Sequence, residues 1–336
     1  MNMTEYTPQE YIYGASHATS LTRQLIHARH SQTVAGSTFG TPALDKKMIP
    51  MQAGDLVLVC GRPGNGKSLI MRHLLYKATQ DLVAQQSDNG ATVLVTWEES
   101  VEQVTAYWIA VASGLSATDM FMGNLTPKQL HLVDSTIVKV GALPLYIIGL
   151  SSQRGTDGKR RRKALTTDAV SGALDHLMNE NGLDPSMIVM DYLQRIPNMG
   201  RLDDVPHYSR CVDWAKDTAL QAGCPVVLGT QSGRDVDKRA KHHLPTLADS
   251  QYTSNAEQSA DKFFSVWMPK GTHGLGDRIE IGGLPPLTVT ENLLILALMK
   301  QKYGSAPHLF PMYVKPETLT VQDMDVFTEQ QIDDEF

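Results

Sequence analysis

The chain has no apolar run longer than Leu293 to Met299, and its opening Met1-Asn2-Met3-Thr4-Glu5 lacks the basic-then-apolar form of a leader. The first absence excludes a membrane-spanning helix, which needs about 20 apolar residues. The second gives no sign of a signal peptide, and together they predict a cytoplasmic protein. Cysteine is scarce: Cys60, Cys211 and Cys224 form no C-x-x-C pair, and each lies in an apolar strand or helix pattern. That argues against a disulfide framework and predicts reduced core thiols. The histidines, including His242-His243, are scattered without metal-ligand spacing, and no internal repeat is present. Positive charge is not in surplus either, since 30 Lys and Arg stand against 36 Asp and Glu, a formal net charge of −6. A surface that coats nucleic acid broadly is thereby excluded, so any nucleic-acid site has to be a local basic patch or a channel.

What is present is an ordinary globular composition, 42% hydrophobic and 20% charged over 336 residues. That length accommodates one large α/β domain with extensions, or at most two domains. Its organising stretch is Asp55-Leu56-Val57-Leu58-Val59-Cys60-Gly61-Arg62-Pro63-Gly64-Asn65-Gly66-Lys67-Ser68. An apolar run reads as a buried strand, G-x-x-x-x-G-K-S follows, and Leu69-Ile70-Met71-Arg72-His73-Leu74-Leu75 opens a helical pattern. Strand, loop and helix are the context that a phosphate-binding loop requires. Gly61, Gly64 and Gly66 let successive N–H groups and the helix N-terminus face one anion. Gly61, Arg62, Pro63, Gly64, Asn65, Gly66, Lys67, Ser68 and Leu69 are accordingly the expected ATP-binding loop. Within it Lys67 reaches the β- and γ-phosphates, and the Ser68 hydroxyl ligates Mg²⁺.

Residues 1–35 carry little core pattern beyond Leu21, Leu25 and Ile26 and read as an arm with one short helix, which has to pack on the core or on a neighbouring subunit. After the loop helix, Ala91 to Trp97 reads as a second buried strand that ends in Glu98-Glu99, and ligands of open α/β sheets sit at such strand ends. Capping boxes open helices at Ser100 and Thr126. Leu143 to Ile148 is a third strand. The run Lys159-Arg160-Arg161-Arg162-Lys163 is either a nucleic-acid contact or a solvated loop. Met187-Ile188-Val189-Met190-Asp191 closes four apolar residues on an acid, the Walker B arrangement that aims one carboxylate at the metal's water. Pro225 to Thr230 is a strand with Gln231 at its tip, which either senses the γ-phosphate or is a plain hydrogen-bonded end. Residues 232–255 read as a mobile loop on composition. Phe263 to Met268 and Leu293 to Met299 are two more strands, the second running into Lys300-Gln301-Lys302. Residues 321–336, with six acidic residues from Asp323 to Glu335, read as an acidic and largely disordered tail.

The order of these features resembles the RecA-like motor domain of the DnaB-type replicative helicases. It runs from the strand-loop-helix through Glu98, Asp191-Tyr192-Leu193-Gln194, Thr230-Gln231 and Glu257-Gln258-Ser259-Ala260-Asp261 to Lys300-Gln301-Lys302. The resemblance covers roughly residues 36–320, and the Asp-Tyr-Leu-Gln box is its most specific part. It implies an α/β fold with a RecA-like P-loop NTPase core, a mostly parallel central sheet flanked by helices. It further implies a homo-oligomer, a hexameric ring, with ATP between subunits and single-stranded DNA in a central channel. Carried over by position, Lys67 and Ser68 bind phosphate and Mg²⁺, and Glu98 polarises the attacking water. Asp191 supports the metal, Gln231 couples the γ-phosphate to the DNA loop, and Lys300 with Lys302 reaches the neighbour's γ-phosphate.

Three departures qualify this. The family's N-terminal collar is expected to be absent; Lys302 stands where the family has an arginine, whose planar fork a lysine lacks; and Asp249-Ser250-Gln251-Tyr252-Thr253-Ser254 lacks the arginine usual in the family's DNA-gripping loop. The expected function is an ATP-driven hexameric DNA helicase or translocase, with proteins of a mobile element or defence system as candidate partners. A nucleotide-switched assembly ATPase and a recombinase-like filament former are the alternatives.

Overall fold

The structure is a computed structural model that describes residues 14–30, 37–152, 164–200, 202–239, 243–249, 258–315, 318 and 320–324. The basic run 159–163, the segment 250–254, Glu257, residues 1–13 and residues 325–336 lie outside the described residues. The chain forms two compact units, residues 1–36 and 37–336. In the first, the expected short helix is α1 (Ala15–His30), on which Ile26 is exposed.

In the second unit the elements follow in the order α2 (Pro42–Asp45), β1 (Leu56–Gly61), α3 (Lys67–Gln85), β2 (Gly90–Thr96), α4 (Val101–Ser113), α5 (Ala117–Met122), α6 (Pro127–Gly141) and β3 (Leu145–Ile148). There follow α7 (Thr167–Asp175), β4 (Asp184–Asp191), α8 (Asp204–Ala222), β5 (Val226–Gln231), β6 (Lys262–Trp267), β7 (Arg278–Ile279), β8 (Leu287–Thr288), β9 (Leu293–Gln301), β10 (His308–Lys315) and β11 (Thr320–Asp323). Among the described residues, nine strands form one sheet in the order β11-β10-β9-β6-β1-β5-β4-β2-β3. Strands β3, β2, β4, β5, β1 and β6 are parallel, and β9, β10 and β11 extend the sheet antiparallel from β6. The strand β1 lies between β5 and β6, at the centre of the nine-stranded order.

Alternation along β1 explains its unbroken apolar run. Val57 and Val59 pack with Ile70, Met71, Leu74 and Leu75 of α3, whereas Leu56, Leu58 and Cys60 pack with Val212, Ala215 and Ala219 of α8. Helices cover both faces, so every position is buried, as expected of a parallel strand. Both capping boxes form, Ser100 with Gln103 and Thr126 with Gln129. All three cysteines are free and buried. No helix among the described residues is long and apolar enough to cross a membrane.

The structure differs from the sequence reading in two stretches. Val321, Gln322 and Asp323 belong to β11, not to a tail: Val321 pairs with Val314 and is buried in the core, and Asp323 Oδ2 accepts the Ala43 N–H at 2.8 Å. The described part of 232–255 is folded as well. Short 3₁₀ turns form at Arg234–Lys238, where Val236 is buried, and at Leu247–Asp249; between them Leu244 packs in a core cluster with Trp267, and the Arg239 guanidinium meets Asp249 Oδ2 at 2.6 Å.

Candidate active site

The loop between β1 and α3 is shaped by its glycines and tied down by its polar side chains. Gly66 takes φ +84°, and a Cβ there would lie 2.8 Å from Leu294 Cδ1. A Cβ on Gly61 would lie 3.2 Å from the Val266 carbonyl oxygen. Asn65 Oδ1 accepts the Met268 N–H at 2.8 Å, which fastens the loop to the end of β6. Arg62 donates through Nε to Asp237 at 2.9 Å and through Nη1 to the Ser232 carbonyl at 3.1 Å. Helix α3 begins at Lys67 with no side-chain cap and no acidic residue in its first turn. Its leading N–H groups and dipole therefore stay available to an anion.

A cavity of about 380 Å³ opens over this loop. It is lined by Arg62, Pro63, Gly64, Gly66, Lys67, Ser68 and Leu69, by Glu98, Tyr192 and Gln231, and on the other side by Met268, Lys270, Glu291, Asn292 and Val314. Lys67 is buried, with its Nζ 3.8 Å from the centroid of the Tyr192 ring. Burial pushes the Lys67 ammonium below its ordinary pKa, against the pull of Asp191 and Glu98. Asp191, at the end of β4, is 5% exposed. The Ser68 hydroxyl lies beside its carboxylate and favours the charged form, yet Asp191 Oδ1 has no hydrogen-bond partner among the described residues. Burial pushes the Asp191 carboxyl above its ordinary value, with Lys67, Ser68 and Arg72 opposing. A buried, half-satisfied carboxylate beside a hydroxyl is a hard-oxygen donor set that fits Mg²⁺. That ion usually takes one or two protein oxygens and completes its shell with substrate phosphates and water. Among the described residues there is no cluster of three or more His, Cys, Asp or Glu side chains to hold a metal by protein alone.

The two adjacent carboxylates separate. Glu99 is paired with the Arg72 guanidinium, and its backbone is held in a turn by the Thr96 hydroxyl. Glu98 lines the cavity instead and meets Arg195 Nη2 at 3.4 Å. Gln231 also lines the cavity, while its N–H donates to Gln194 Oε1 at 3.1 Å. Gln194 in turn donates to Thr230 Oγ1 at 3.1 Å, so the Asp191–Gln194 box braces the tip of β5.

Lys300 and Lys302 are not brought to this cavity. β9 runs antiparallel to β6, with Gln301 opposite Lys262, and Lys262 lies opposite Val57 in β1. Gly61 is four residues further along β1, which at about 3.3 Å per residue is about 13 Å away along the strand. The Lys302 Nζ lies 3.6 Å from Asp261 Oδ1, and the Coulomb pull of that carboxylate raises the lysine's pKa. Sequence reasoning missed Arg72 and Arg195. Arg72 lies one helical turn past Ser68, a spacing that signals proximity to the loop; Arg195 directly follows the Asp191–Gln194 box.

A sequence profile of the DnaB-like helicase C terminal domain matches residues 36–273. The chain belongs to this family. It is 25% identical over 243 residues to the replicative DNA helicase DnaB of Geobacillus stearothermophilus, covering 71% of this chain and 48% of that protein. It is 27% identical over 240 residues to the DnaB of Pasteurella multocida, covering 70% of this chain and 46% of that one. The chain thus spans about half the length of the curated relatives it matches. Among solved structures, the ATPase domain of G40P superposes with a TM-score of 0.73 at 15% identity, covering 93% of this chain and 100% of that domain. A DnaB-like replicative helicase characterised with its interactions with primase gives 0.70 at 15% identity, covering 91% of this chain and 66% of that one. These likenesses establish the RecA-like fold expected from the sequence.

Proposed function

We propose that this chain is the ATP-hydrolysing motor of a hexameric DNA helicase or translocase of the cytoplasm, working on single-stranded DNA threaded through the ring. The observation that carries the reading is the convergence of Lys67, Ser68, Glu98, Asp191 and Gln231, from three separate strand ends and one helix start, on one loop and its cavity. The loop N–H groups and the start of α3 bind the polyphosphate of ATP. Lys67 leaves the Tyr192 ring for the β- and γ-phosphates. Ser68 and Asp191 would hold Mg²⁺, which would supply positive charge against the charge that develops on the phosphates.

Glu98 orients a water on the γ-phosphate and accepts its proton. The water oxygen bonds to the γ-phosphorus, the bond to the bridging oxygen breaks, and its electron pair leaves with ADP. Gln231, at the tip of a braced strand, reports the loss of the γ-phosphate to the segment beyond β5. Lys302, remote from its own loop, acts across a subunit interface. ATP turnover with and without single-stranded DNA tests the proposal: DNA stimulates hydrolysis if the chain is a motor. Turnover indifferent to DNA favours the second reading, a nucleotide-switched assembly ATPase, which is supported by the absence of an arginine from Lys300-Gln301-Lys302.

A further inference from the structure

Arg195 closes the 3₁₀ turn Leu193–Arg195, directly after the box that carries Asp191. The turn itself is fixed. Leu193 is fully buried, the Arg195 N–H donates to the Tyr192 carbonyl at 3.0 Å, and Gln194 is bonded to β5. The side chain of Arg195 is 55% exposed, is drawn to the Tyr192 hydroxyl as well as to Glu98, and lies among the groups the reaction uses. Its Nη2 is 3.4 Å from Glu98 Oε1, and its guanidinium carbon is 6.0 Å from the Tyr192 ring centroid, the same ring that carries Lys67. Its charge is felt at Lys67, where it depresses the ammonium further. A phosphate held between Lys67 and Glu98 is therefore within the reach of this guanidinium.

The Arg195–Glu98 pair is too weak to be a lock. It is long, made through one nitrogen, and half-exposed on both sides, and such pairs add little stability. A γ-phosphate offers the same guanidinium two parallel charge-assisted hydrogen bonds, which a single distant carboxylate oxygen does not. The other guanidinium groups at the loop are engaged, Arg62 by Asp237 and the Ser232 carbonyl and Arg72 by Glu99, and the Lys300-Gln301-Lys302 segment has none.

We propose that Arg195 is a further catalytic residue, which leaves Glu98 for the γ-phosphate of ATP bound in its own subunit and so frees Glu98 for the attacking water. The assignment rests on the reading that the cavity holds ATP. Arg195 gives and takes no proton in the step. It offsets charge on the γ-phosphate oxygens while the water proton goes to Glu98 and the bridging electron pair leaves with ADP.

The test uses the full chain with Mg²⁺ and compares Arg195→Gln, Arg195→Lys and Lys67→Ala with wild type. Measurements are single-turnover hydrolysis, affinity for ADP and for a non-hydrolysable ATP analogue, and thermal melting. Because Arg195 is exposed, Arg195→Gln melts with wild type. Its turnover falls by ~100-fold, its analogue affinity falls by ~10-fold, and its ADP affinity is unchanged, since ADP has no γ-phosphate. Arg195→Lys recovers part of the turnover. Turnover of Arg195→Gln at or above wild type, or equal losses for ADP and analogue, overturns the assignment while leaving the ATP reading intact. A wild-type chain that binds neither nucleotide, or a Lys67→Ala variant that hydrolyses normally, overturns both. Mixing Arg195→Gln with Lys67→Ala subunits restores nothing if both residues serve one subunit's site; recovered activity overturns the assignment in cis.

Discussion

The two ends of strand β1 carry charges in opposite states. At its C-terminal end Lys67 rests on an aromatic ring, Asp191 Oδ1 lacks a partner among the described residues, and Glu98 has one long contact. At its N-terminal end the charges are densely paired. Lys262, 2% exposed, meets Asp55 Oδ2 at 2.6 Å, and the Lys216 Nζ lies 2.6 Å from Asp261 Oδ2, which also accepts the Leu56 N–H. Buried charge is costly unless it is compensated. One edge of the sheet meets that demand internally and holds strands β1 and β6 together; the other leaves it for a ligand to meet.

The sharpest way to break this comparison is to remove the central cation of the ligand edge. Lys67→Ala is expected to lower ATP turnover by ~10³-fold or more. Its melting temperature should stay within a few degrees of wild type, because the loop is shaped by glycines and by Asn65 rather than by that charge. A variant that hydrolyses normally contradicts the assignment of the loop. Next comes the adjacent pair at the end of β2. Glu98→Gln should bind ATP and hydrolyse it ~10²- to 10³-fold more slowly. Glu99→Gln, which loses only its bond to Arg72, should keep most of its turnover; the reverse pattern would mean that the other carboxylate faces the water.

The paired edge should respond in stability and not in nucleotide binding. Asp55→Asn leaves Lys262 buried without its counter-ion and is expected to cost ~3 kcal/mol in denaturant unfolding. ATP affinity at the far end of the strand should be unchanged, and a parallel loss of affinity would show that the two edges are not separable. The smallest effect is expected at Lys302, which stands at the paired edge yet is half-exposed. Lys302→Ala should lower turnover by ~10-fold with ATP affinity preserved, and Lys302→Arg should retain or raise it, because a single ammonium does less than a guanidinium fork. In mixtures with Lys67→Ala subunits, Lys302→Ala activity should reappear, unlike that of Arg195→Gln. No recovery in verified mixed rings would rule out action across the interface.

Sequence pattern revealed the parts of the site that are local. The loop proposed to bind phosphate is a contiguous strand-loop-helix, and Asp191 closes an apolar run, so local pattern alone singles out both. The choice between Glu98 and Glu99 was not, because it depends on Arg72 reaching Glu99 from another element. The position of Lys302 is a question of strand direction, and β9 being antiparallel to β6 is set by sheet pairing rather than by any residue within it. Among the described residues of 232–255, Val236 and Leu244 are the buried aliphatic side chains, too few to show a period among polar neighbours. The acidic residues after 320 hid Val321, whose burial depends on pairing with β10. Arg195 followed the most recognisable box in the chain, yet only the structure placed it on Glu98.

Strand displacement on a forked duplex, with ATP and Mg²⁺ and with Glu98→Gln as the control, tests the central claim most directly. The account predicts that the wild-type chain separates the strands and that Glu98→Gln binds the fork and ATP without separating them. Wild-type ATP hydrolysis that neither rises with DNA nor separates the strands would contradict it.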